Sequence, residues 1–404
     1  MNYANAILAT LALLSLALAL WQWLAARRFL LHQRAANLGF APAVTLLKPL
    51  KDCDDTTADS LRSWLRQNYP GPVQILFGAA DAADPVCNIV RELLAENPKC
   101  DAQLVVCENL VGANAKVAKL AQLEKLARHE LILISDADVR VPVGFLANAV
   151  QPLRDDETGL VNCFYRLANP STMAMQWEAV SINADFWSQV LQSQTLKPLD
   201  FALGAVMLVR RKALAGIGGF PALADCLADD YQLGHRIAKL GHRIALCPVV
   251  VECWDPPMGW REVWKHQLRW ARTIRVCQPL PYFFSILSNA TLWPLLWLAA
   301  ELFQCLAAMN RTGPSNLGQT LESKIILLNG IIAALAFCLA RIALAQNLQH
   351  RLTPAQRLIS PFWLVPVKDL LQAVLWFCAF AGNTVEWRGR KMKLRRDGTL
   401  IAEK

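Results

Sequence analysis

The sequence predicts an α/β domain with a mostly parallel sheet, which one membrane helix precedes and further membrane or interfacial helices follow. The chain has 404 residues, of which 54% are hydrophobic and only 18% charged, and this composition places part of it in lipid. Between about residues 43 and 275, short apolar runs alternate with helical patterns, which is typical of strands covered by helices. Both ends of the chain contain long apolar segments instead, as expected of membrane helices.

The N-terminal segment, residues 5–26, is uncharged and long enough to span a bilayer. Arg27 and Arg28 follow it directly, whereas no basic residue comes before it. A cleaved signal peptide carries its positive charge ahead of the apolar run, so we interpret residues 1–28 as an uncleaved signal anchor. The positive-inside rule then predicts that the chain enters the cytosol at Arg27.

The region 40–278 carries the α/β pattern. Four apolar runs in its first half are strand candidates, namely residues 44–47, 73–77, 103–106 and 131–134. Helical patterns separate these runs, which favours parallel strands joined by helices. In such sheets ligands bind beyond the carboxyl ends of the strands. The residues that directly follow the strands are therefore the first candidates for chemistry.

The region 279–385 is predicted to form C-terminal membrane helices. Its candidate segments are residues 282–309, 325–345 and 361–381. Three crossings would place the basic tail, residues 386–404, outside the cell, whereas the positive-inside rule places that tail in the cytosol. Either the first segment forms a hairpin or one later segment does not span. Lys368 and Asp369 make the last segment the doubtful one.

Charge and cysteine usage restrict the partners and the redox state. The formal net charge is +9, and the basic residues cluster beside apolar segments, which favours a membrane surface. No basic run interleaved with aromatic residues appears in the soluble-looking part, so a nucleic-acid partner is not expected. None of the twelve cysteines forms a C-x-x-C pair, and this pattern predicts reduced, buried thiols.

The pair Asp136 and Asp138 is the strongest chemical signal. It directly follows the apolar run 131–134, and carboxylates at positions i and i+2 can converge on one cation at the edge of a sheet. Mg²⁺ or Mn²⁺ suits one or two carboxylates and completes its shell with substrate phosphates. A cation there would neutralise a leaving diphosphate. The alternative is a solvated turn, because Asp is common after strands.

Further acidic residues follow later in the same region. Asp81, after the run 73–77, could accept hydrogen bonds from a nucleotide base or ribose, whereas turn formation before Pro85 better explains Asp84. Asp230, beside Asp229, is a candidate general base. For the latter pair, the alternative is capping of a helix N-terminus.

Two groups of polar residues could contact an anionic ligand. Asn114 and Lys116 form a turn that suits donor phosphates, although they could equally begin a helix. Arg269 could bind a phosphate and Trp270 could line an acceptor pocket. Together with further arginines at 272 and 275, the second group could instead form a basic interfacial helix.

Taken in order, these motifs resemble the ceramide glucosyltransferase family, which belongs to the inverting transferases of the GT-A fold. The resemblance covers roughly residues 44–275 and the flanking membrane segments. The residues that carry it are Leu46–Lys51, Asp81, Asp84-Pro85, Gly112-x-Asn114-x-Lys116, Asp136-x-Asp138, Gly204, Asp229-Asp230-Tyr231 and Arg269-Trp270.

The resemblance implies a role for each matched residue. It places Asp81 near the nucleotide base, and it makes Asp136 and Asp138 the ligands of the metal and diphosphate. It makes Asp230 the catalytic base, with Arg269 and Trp270 completing the catalytic set. The remaining residues of the nucleotide-sugar site would be Lys48, Asn114, Lys116 and His266.

His266 departs from the family pattern, which has Gln or Arg at that position. The stretch from Trp264 to Arg275 is similar instead to bacterial hopanoid-biosynthesis glycosyltransferases. Ceramide-like and hopanoid lipids therefore both stay open as acceptors.

The reaction implied is an inverting transfer of glucose from UDP-glucose to the primary hydroxyl of a ceramide-like lipid, with Mg²⁺ or Mn²⁺. One alternative is transfer of N-acetylglucosamine from its UDP donor to a hopanoid. A non-enzymatic alternative is a membrane scaffold with an inactive transferase fold. The expected partners are the UDP-sugar, the lipid acceptor and the bilayer. We expect a multi-pass membrane protein, of a bacterial inner membrane, with its catalytic domain in the cytosol.

Overall fold

The computed structural model describes residues 3–35, 39–312, 317–353, 360–387, 390–395 and 397–402. The chain forms two compact units. The sheet unit consists of Phe29–Met175, Ser193–Arg269 and Asn383–Lys404. The helical unit consists of Met1–Arg28, Gln176–Gln192 and Trp270–Gly382. In this division residues 176–192 and 270–278, which the sequence grouped with the α/β region, belong to the helical unit, and the C-terminal residues from Asn383 belong to the sheet unit.

The described residues contain two sheets. Their strands are β1 (Val44–Pro49), β2 (Val73–Ala79), β3 (Asp101–Val106), β4 (Leu131–Ser135), β5 (Val139–Arg140), β6 (Thr158–Leu167), β7 (Val206–Arg210), β8 (Arg243–Cys253), β9 (Thr384–Trp387), β10 (Arg390–Leu394) and β11 (Leu400–Ala402). The larger sheet has the order β3-β2-β1-β4-β7-β6-β8-β5. Strands β3, β2, β1 and β4 are parallel neighbours, so their carboxyl ends share one edge.

The helices connect the strands and form the helical unit. They are α1 (Tyr3–Arg28), α2 (Thr57–Leu65), α3 (Val86–Glu96), α4 (Ala115–Leu126), α5 (Phe145–Ala149), α6 (Met173–Val180), α7 (Trp187–Gln194), α8 (Arg211–Gly216), α9 (Asp229–Lys239), α10 (Trp260–Cys277), α11 (Pro279–Phe284), α12 (Leu292–Thr312), α13 (Leu317–Leu352) and α14 (Leu364–Phe380).

The core of the larger sheet explains why the apolar runs form strands. Every residue of β1 and β4 is buried, as expected of central parallel strands that helices cover on both faces. Strand β3 lies at the sheet edge and alternates between exposed and partly buried residues. Helices α2, α3 and α4 supply the crossovers that successive parallel strands require. The four predicted strands therefore occur as expected.

The helical unit contains the segments that suit a membrane. By length and composition, three helices among the described residues could span a bilayer: Tyr3–Arg28, Leu292–Asn310 and Lys324–Leu352. The predicted segment 282–309 is interrupted between α11 and α12 by a short 3₁₀ helix, Ser285–Ser288. Helix α14, with 17 residues, is not among the three.

Four charged side chains in the helical unit form a cluster that we call the ionic quartet: Asp185, Arg341, Lys368 and Asp369. Each is at most 6% exposed. The guanidinium of Arg341 lies 2.9 Å from carboxylate oxygens of both Asp185 and Asp369, and the ammonium of Lys368 contacts the same two carboxylates. The quartet explains how α14 keeps a lysine and an aspartate within an apolar unit, since buried charges must be paired.

Candidate active site

Lys48 fixes the turn that follows β4. Its side chain is fully buried, and its ammonium donates hydrogen bonds to Ser135 Oγ at 3.1 Å and to the backbone oxygen of Asp136. Burial lowers the pKa of Lys48 to about 7, which the carboxylates of Asp138 and Asp136 partly oppose. Lys48 therefore holds in position the turn after β4, which carries Asp136 and Asp138 and which we call the acidic turn.

Asn114 begins helix α4. Its Oδ1 accepts hydrogen bonds from the backbone N–H groups of Lys116 and Val117, at 3.1 and 3.2 Å. Its Nδ2 donates to the backbone oxygen of Cys226 at 2.8 Å, and the side chain is fully buried. Of the two roles that the sequence allowed for this segment, the structure therefore shows a helix start, with Asn114 as an ordinary N-cap. Asn114 thus orients Lys116, and a direct contact with the donor stays a prediction.

Lys116 joins two acidic segments that are far apart in the sequence. Its Nζ lies 2.8 Å from Asp136 Oδ1 and 3.1 Å from Asp229 Oδ2. Burial disfavours its charged form, but these two carboxylates outweigh that penalty and raise the pKa of Lys116 above its ordinary value. The turn after β4 and the start of α9 therefore meet at one ammonium.

Asp230 lies in the first turn of α9. The N-cap is Ala228 and makes no side-chain cap, so the capping alternative does not describe Asp230. Burial, followed by the neighbouring charge of Asp229, raises the pKa of Asp230 to about 6, while Lys116 opposes the shift. A carboxylate with such a pKa is ionised at neutral pH and can still accept a proton.

The backbone at Gly204 and Ala205 shapes this cluster. A Cβ atom on Gly204 would lie 2.8 Å from Asp230 Oδ2, so only glycine allows the carboxylate its observed position. The next residue, Ala205, has φ 68°, which is uncommon for a residue with a side chain. Its carbonyl oxygen accepts a hydrogen bond from the backbone N–H of Asp136 at 3.1 Å. This loop therefore contacts both acidic segments.

Asp255 is a functional candidate that the sequence reasoning missed. Burial raises the pKa of Asp138 to about 7, and the next largest contribution comes from Asp255, ahead of Asp136. The backbone N–H of Trp254 donates a hydrogen bond to the backbone carbonyl oxygen of Asp138 at 3.1 Å. Asp255 follows β8, so the rule that led to the other acids could have found it. Two prolines follow it, and such a sequence is equally typical of a turn.

Asp136 and Asp138 suit a divalent cation that arrives together with a diphosphate. Asp136 keeps 36% of its side chain exposed, and burial, followed by the neighbouring acids, raises the pKa of Asp138, so added positive charge would favour its ionised form. Among the described residues, no group of three His, Cys, Asp or Glu side chains could hold a metal. Mg²⁺ commonly binds through one or two carboxylates and substrate phosphates, so this donor set suits an ion that arrives with its nucleotide.

Asp81 lies on the same sheet edge, two strands from Asp136. It follows β2, and β1 separates β2 from β4, so the strand spacing puts the two strand ends about 10 Å apart. The carboxylate of Asp81 is exposed and accepts a hydrogen bond from the backbone N–H of Ala83 at 2.9 Å. The carboxylate of Asp84 accepts a hydrogen bond from the backbone N–H of Val86 at 3.0 Å, which agrees with the turn predicted before Pro85.

Helix α10 carries the last predicted residues. His266 and Arg269 are partly buried in the sheet unit, and their spacing of three residues puts them on one face of the helix. Trp270 belongs to the helical unit, where its ring lies 6.5 Å from that of Phe186. The roles of all three stay predictions.

A family model of known proteins, glycosyl transferase family 21, matches residues 7–400. This chain belongs to glycosyl transferase family 21. Family relatives include ceramide glucosyltransferase 3 of Caenorhabditis elegans, 23% identical over 222 residues, which are 54% of this chain and 48% of that protein. Ceramide glucosyltransferase of Candida albicans is 32% identical over 118 residues, 26% of this chain and 22% of that protein. The matched stretch thus spans half or less of each relative.

The fold also has a counterpart among solved structures. The mannosyltransferase PcManGT from Pyrobaculum calidifontis, solved with GDP-mannose and Mn²⁺, aligns with a TM-score of 0.53 and 22% identity. The alignment covers 91% of this family 21 chain and 99% of PcManGT. This likeness concerns the fold alone and confirms the predicted GT-A architecture. The predicted resemblance to the ceramide glucosyltransferase family is confirmed as well.

Proposed function

We propose that this chain is a membrane-bound, inverting glycosyltransferase that transfers glucose from UDP-glucose to the primary hydroxyl of a ceramide-like lipid. One observation carries the proposal. Within a family 21 chain, Asp230 is partly buried with its pKa raised to about 6, and it adjoins Asp229, which Lys116 joins to the acidic turn after β4. Perturbed carboxylates that cluster at the edge of a sheet are typical of catalytic sites.

In the proposed reaction, Asp230 accepts the proton of the lipid hydroxyl as that oxygen attacks the anomeric carbon. The bond to the diphosphate breaks on the opposite side, so the configuration inverts. Asp230 can act as this base because it is ionised at neutral pH and its pKa, about 6, lies close enough to take up a proton. Gly204 leaves room for the carboxylate in the position described.

The leaving diphosphate needs positive charge nearby. Lys116 supplies one such charge, and Arg269 on α10 is proposed to supply another. Asp136 and Asp138 would hold Mg²⁺ or Mn²⁺, which would stabilise the charge of the departing UDP when bound. Lys48 and Asn114 contribute indirectly, because they hold the acidic turn and Lys116 in position. Asp81 is proposed to contact the nucleotide base or ribose.

The acceptor side follows from membrane attachment. A lipid hydroxyl stays at the bilayer interface, so an enzyme held at that surface raises the effective concentration of acceptor near its base.

The number of membrane crossings follows from the division into units. Residues 29–269 and the described part of 383–402 belong to one unit, so we infer an even number of crossings between 270 and 382. Leu292–Asn310 and Lys324–Leu352 are long and apolar enough to be those two crossings. With α1 as the anchor, the sheet unit and the tail both lie in the cytosol.

Two alternatives compete with this proposal. Transfer of N-acetylglucosamine to a hopanoid is favoured by His266 and the stretch from Trp264 to Arg275. A non-enzymatic scaffold is the other alternative, and the retained carboxylates at 81, 136, 138 and 230 argue against it.

Mass spectrometry of lipids separates the three functions. Cells that make the protein are compared with cells that make Asp230→Asn, at equal protein levels and with each candidate acceptor supplied. Hexosyl-ceramide that appears only with the unmodified protein supports the proposal. An aminosugar on a hopanoid supports the first alternative, and identical lipid profiles support the scaffold.

The metal and donor assignment is tested by UDP binding. Purified protein is titrated with UDP in the presence of Mn²⁺ and again with EDTA. We expect Asp136→Ala to remove the metal-dependent part of the affinity, while the exposed Asp101→Ala at the far edge of the sheet serves as the control. Unchanged affinity in Asp136→Ala would move the metal site elsewhere.

A further inference from the structure

The C-terminal residues that were predicted as a basic tail form a small antiparallel sheet. Strand β10 pairs with β9 on one side and with β11 on the other. We call these three strands the C-terminal sheet. One face of it is buried, and its members are Val385, Met392, Leu394 and Leu400. A one-sided apolar face of this kind shows that the sheet packs as part of the sheet unit.

The edge of the C-terminal sheet pairs with the segment that leads into α9. The backbone N–H of Leu400 donates to Asp225 O at 2.8 Å, and the N–H of Leu227 donates to Gly398 O at 3.3 Å. Cys226 and Thr399 form a bridge between these bonds. An ion pair of 2.7 Å between Lys265 and Glu386 also joins the C-terminal sheet to α10.

The segment 224–227 is in turn the support of the proposed catalytic cluster. Its carbonyl oxygens at 224 and 226 accept hydrogen bonds from the backbone and side chain of Asn114, the cap of the helix that presents Lys116. The carboxylate of Asp225 accepts a hydrogen bond from the N–H of Ala113 at 2.9 Å. Because α9 begins two residues after this segment, whatever orders it also orders Lys116, Asp229 and Asp230.

The opposite face of the C-terminal sheet is basic. Lys391, Lys393 and Arg395 alternate with the buried residues of β10 and are all exposed. Ile401 lies directly opposite Lys393 and is 37% exposed. Two acidic residues lie nearby: Glu386, opposite Lys391, also pairs with Lys265, and Asp397 accepts hydrogen bonds from Thr399. Among the described residues, basic side chains outnumber acidic ones on this face, and they surround one apolar side chain.

Chain connectivity brings this basic face close to lipid. Helix α14 ends at Phe380 and β9 begins at Thr384, so four residue steps keep β9 within about 14 Å of the end of an apolar helix. The attraction of anionic lipid headgroups for basic residues falls off over about one Debye length, roughly 8 Å at physiological ionic strength, and this short connection allows the face to come that close. Charge and position together point to an anionic bilayer surface as the ligand.

We propose that the C-terminal sheet is a sensor of anionic lipid: its basic face binds anionic headgroups, and its β11 edge holds the segment 224–227 that orders the catalytic cluster. This rests on the proposed function for its effect on turnover, but the binding and ordering steps do not depend on it. Contact with anionic lipid stabilises the docked sheet, so the proposed base and Lys116 are held in place only at a suitable membrane surface.

The test uses the full chain in nanodiscs that contain either phosphatidylcholine alone or phosphatidylcholine with phosphatidylglycerol. Hydrogen exchange of residues 225–231 reports ordering without any need for turnover, and transfer to a lipid acceptor reports activity. We expect phosphatidylglycerol to slow exchange in this segment and to raise kcat. Lys391→Gln/Lys393→Gln should remove most of this lipid dependence, because each basic residue near an anionic surface contributes about a fivefold change in affinity. The two substituted side chains point outward, so the fold is retained.

A matched control and a truncation complete the design. Lys99→Gln/Lys212→Gln removes the same charge from two other exposed positions of the sheet unit and should keep the wild-type response. A chain that ends at Arg395 lacks β11 and should show fast exchange at 225–231 in both bilayers. Equal exchange in the two bilayers for the wild type, or wild-type protection in the truncated chain, would overturn the proposal. Lipid-dependent protection without sugar transfer would overturn the proposed function alone.

Discussion

Each unit contains a cluster of charged side chains, and the two clusters are built differently: the helical unit buries the ionic quartet, whereas the sheet unit holds a partly buried acidic cluster. The ionic quartet contains two cations and two anions, each of them paired within the cluster. The proposed catalytic cluster contains five carboxylates and two ammonium groups. Its members are Lys48, Lys116, Asp136, Asp138, Asp229, Asp230 and Asp255. Burial of unbalanced charge is costly, and here two of the carboxyl groups respond with a pKa raised to about 6 or 7.

The balance of charge within a cluster therefore distinguishes charges that stabilise the fold from charges that take part in function. In the ionic quartet the positive and negative charges neutralise each other without a ligand. Removal of one member should therefore lower the stability of the fold. An excess of negative charge at the edge of a sheet is neutralised when ligands bind there, by a cation and by the proton of an acceptor. Its loss should affect chemistry. The predictions that follow test this separation.

The largest effect is expected for Asp230→Asn. The substitution keeps the shape of the side chain but removes the proposed base, so we expect kcat to fall by about 10³-fold. UDP affinity in the presence of Mn²⁺ and the unfolding temperature should stay close to those of the wild type. Steady-state kinetics and calorimetric titration make the measurement, with the exposed Asp156→Asn as control. Loss of UDP binding together with turnover would assign Asp230 to the donor site instead.

The ionic quartet should respond in the opposite manner. Arg341→Met leaves Asp185 and Asp369 with only one cation, and breaking a buried pair costs about 3–5 kcal/mol of stability. Unfolding in detergent measures this loss, while the folded fraction should retain its kcat and KM.

A second variant isolates the role of charge balance in the quartet. Arg341→Met/Asp185→Leu leaves Lys368 paired with Asp369, so it should recover part of the lost stability. If Arg341→Met lowered kcat without lowering the unfolding temperature, the quartet would have a functional role and the comparison would fail.

Gly204→Ala tests the position of the base without changing any charge. The new Cβ would approach Asp230 Oδ2 to 2.8 Å, so the carboxylate must move. A displacement on the order of 1 Å can lower the rate by about 10²-fold. Gly144→Ala is the control, because its nearest neighbour would be 3.8 Å away. Equal rates for both variants would show that the observed position of Asp230 does not matter for transfer.

The smallest effect is a pH dependence. Since the pKa of Asp230 is raised to about 6, its base form is complete above that pH and is lost as the pH falls. We expect kcat/KM to decrease about tenfold per pH unit below pH 6. A profile that stays flat down to about pH 4, near the ordinary pKa of an aspartate, would contradict this environment of Asp230.

The sequence predicted the parallel strands and the residues at their ends, because strand periodicity and the carboxyl-end rule act over short stretches. Asp136 and Asp138 were found in this way, and Asp255 could have been. The doubt about α14 was also visible, since Lys368 and Asp369 interrupt an apolar run. The sequence could not predict their partners, because Arg341 lies 156 residues from Asp185 and no local pattern links the two.

The sequence by itself determined which residues end each strand, and hence which acids share one edge of the sheet, because backbone geometry is a local property of the chain. Only the tertiary structure decided that Lys116 joins Asp136 to Asp229, that Gly204 makes room for Asp230 and that the C-terminal strands pair beside α9. These contacts connect segments far apart in the chain. Their geometry depends on packing within each unit, which no local pattern records.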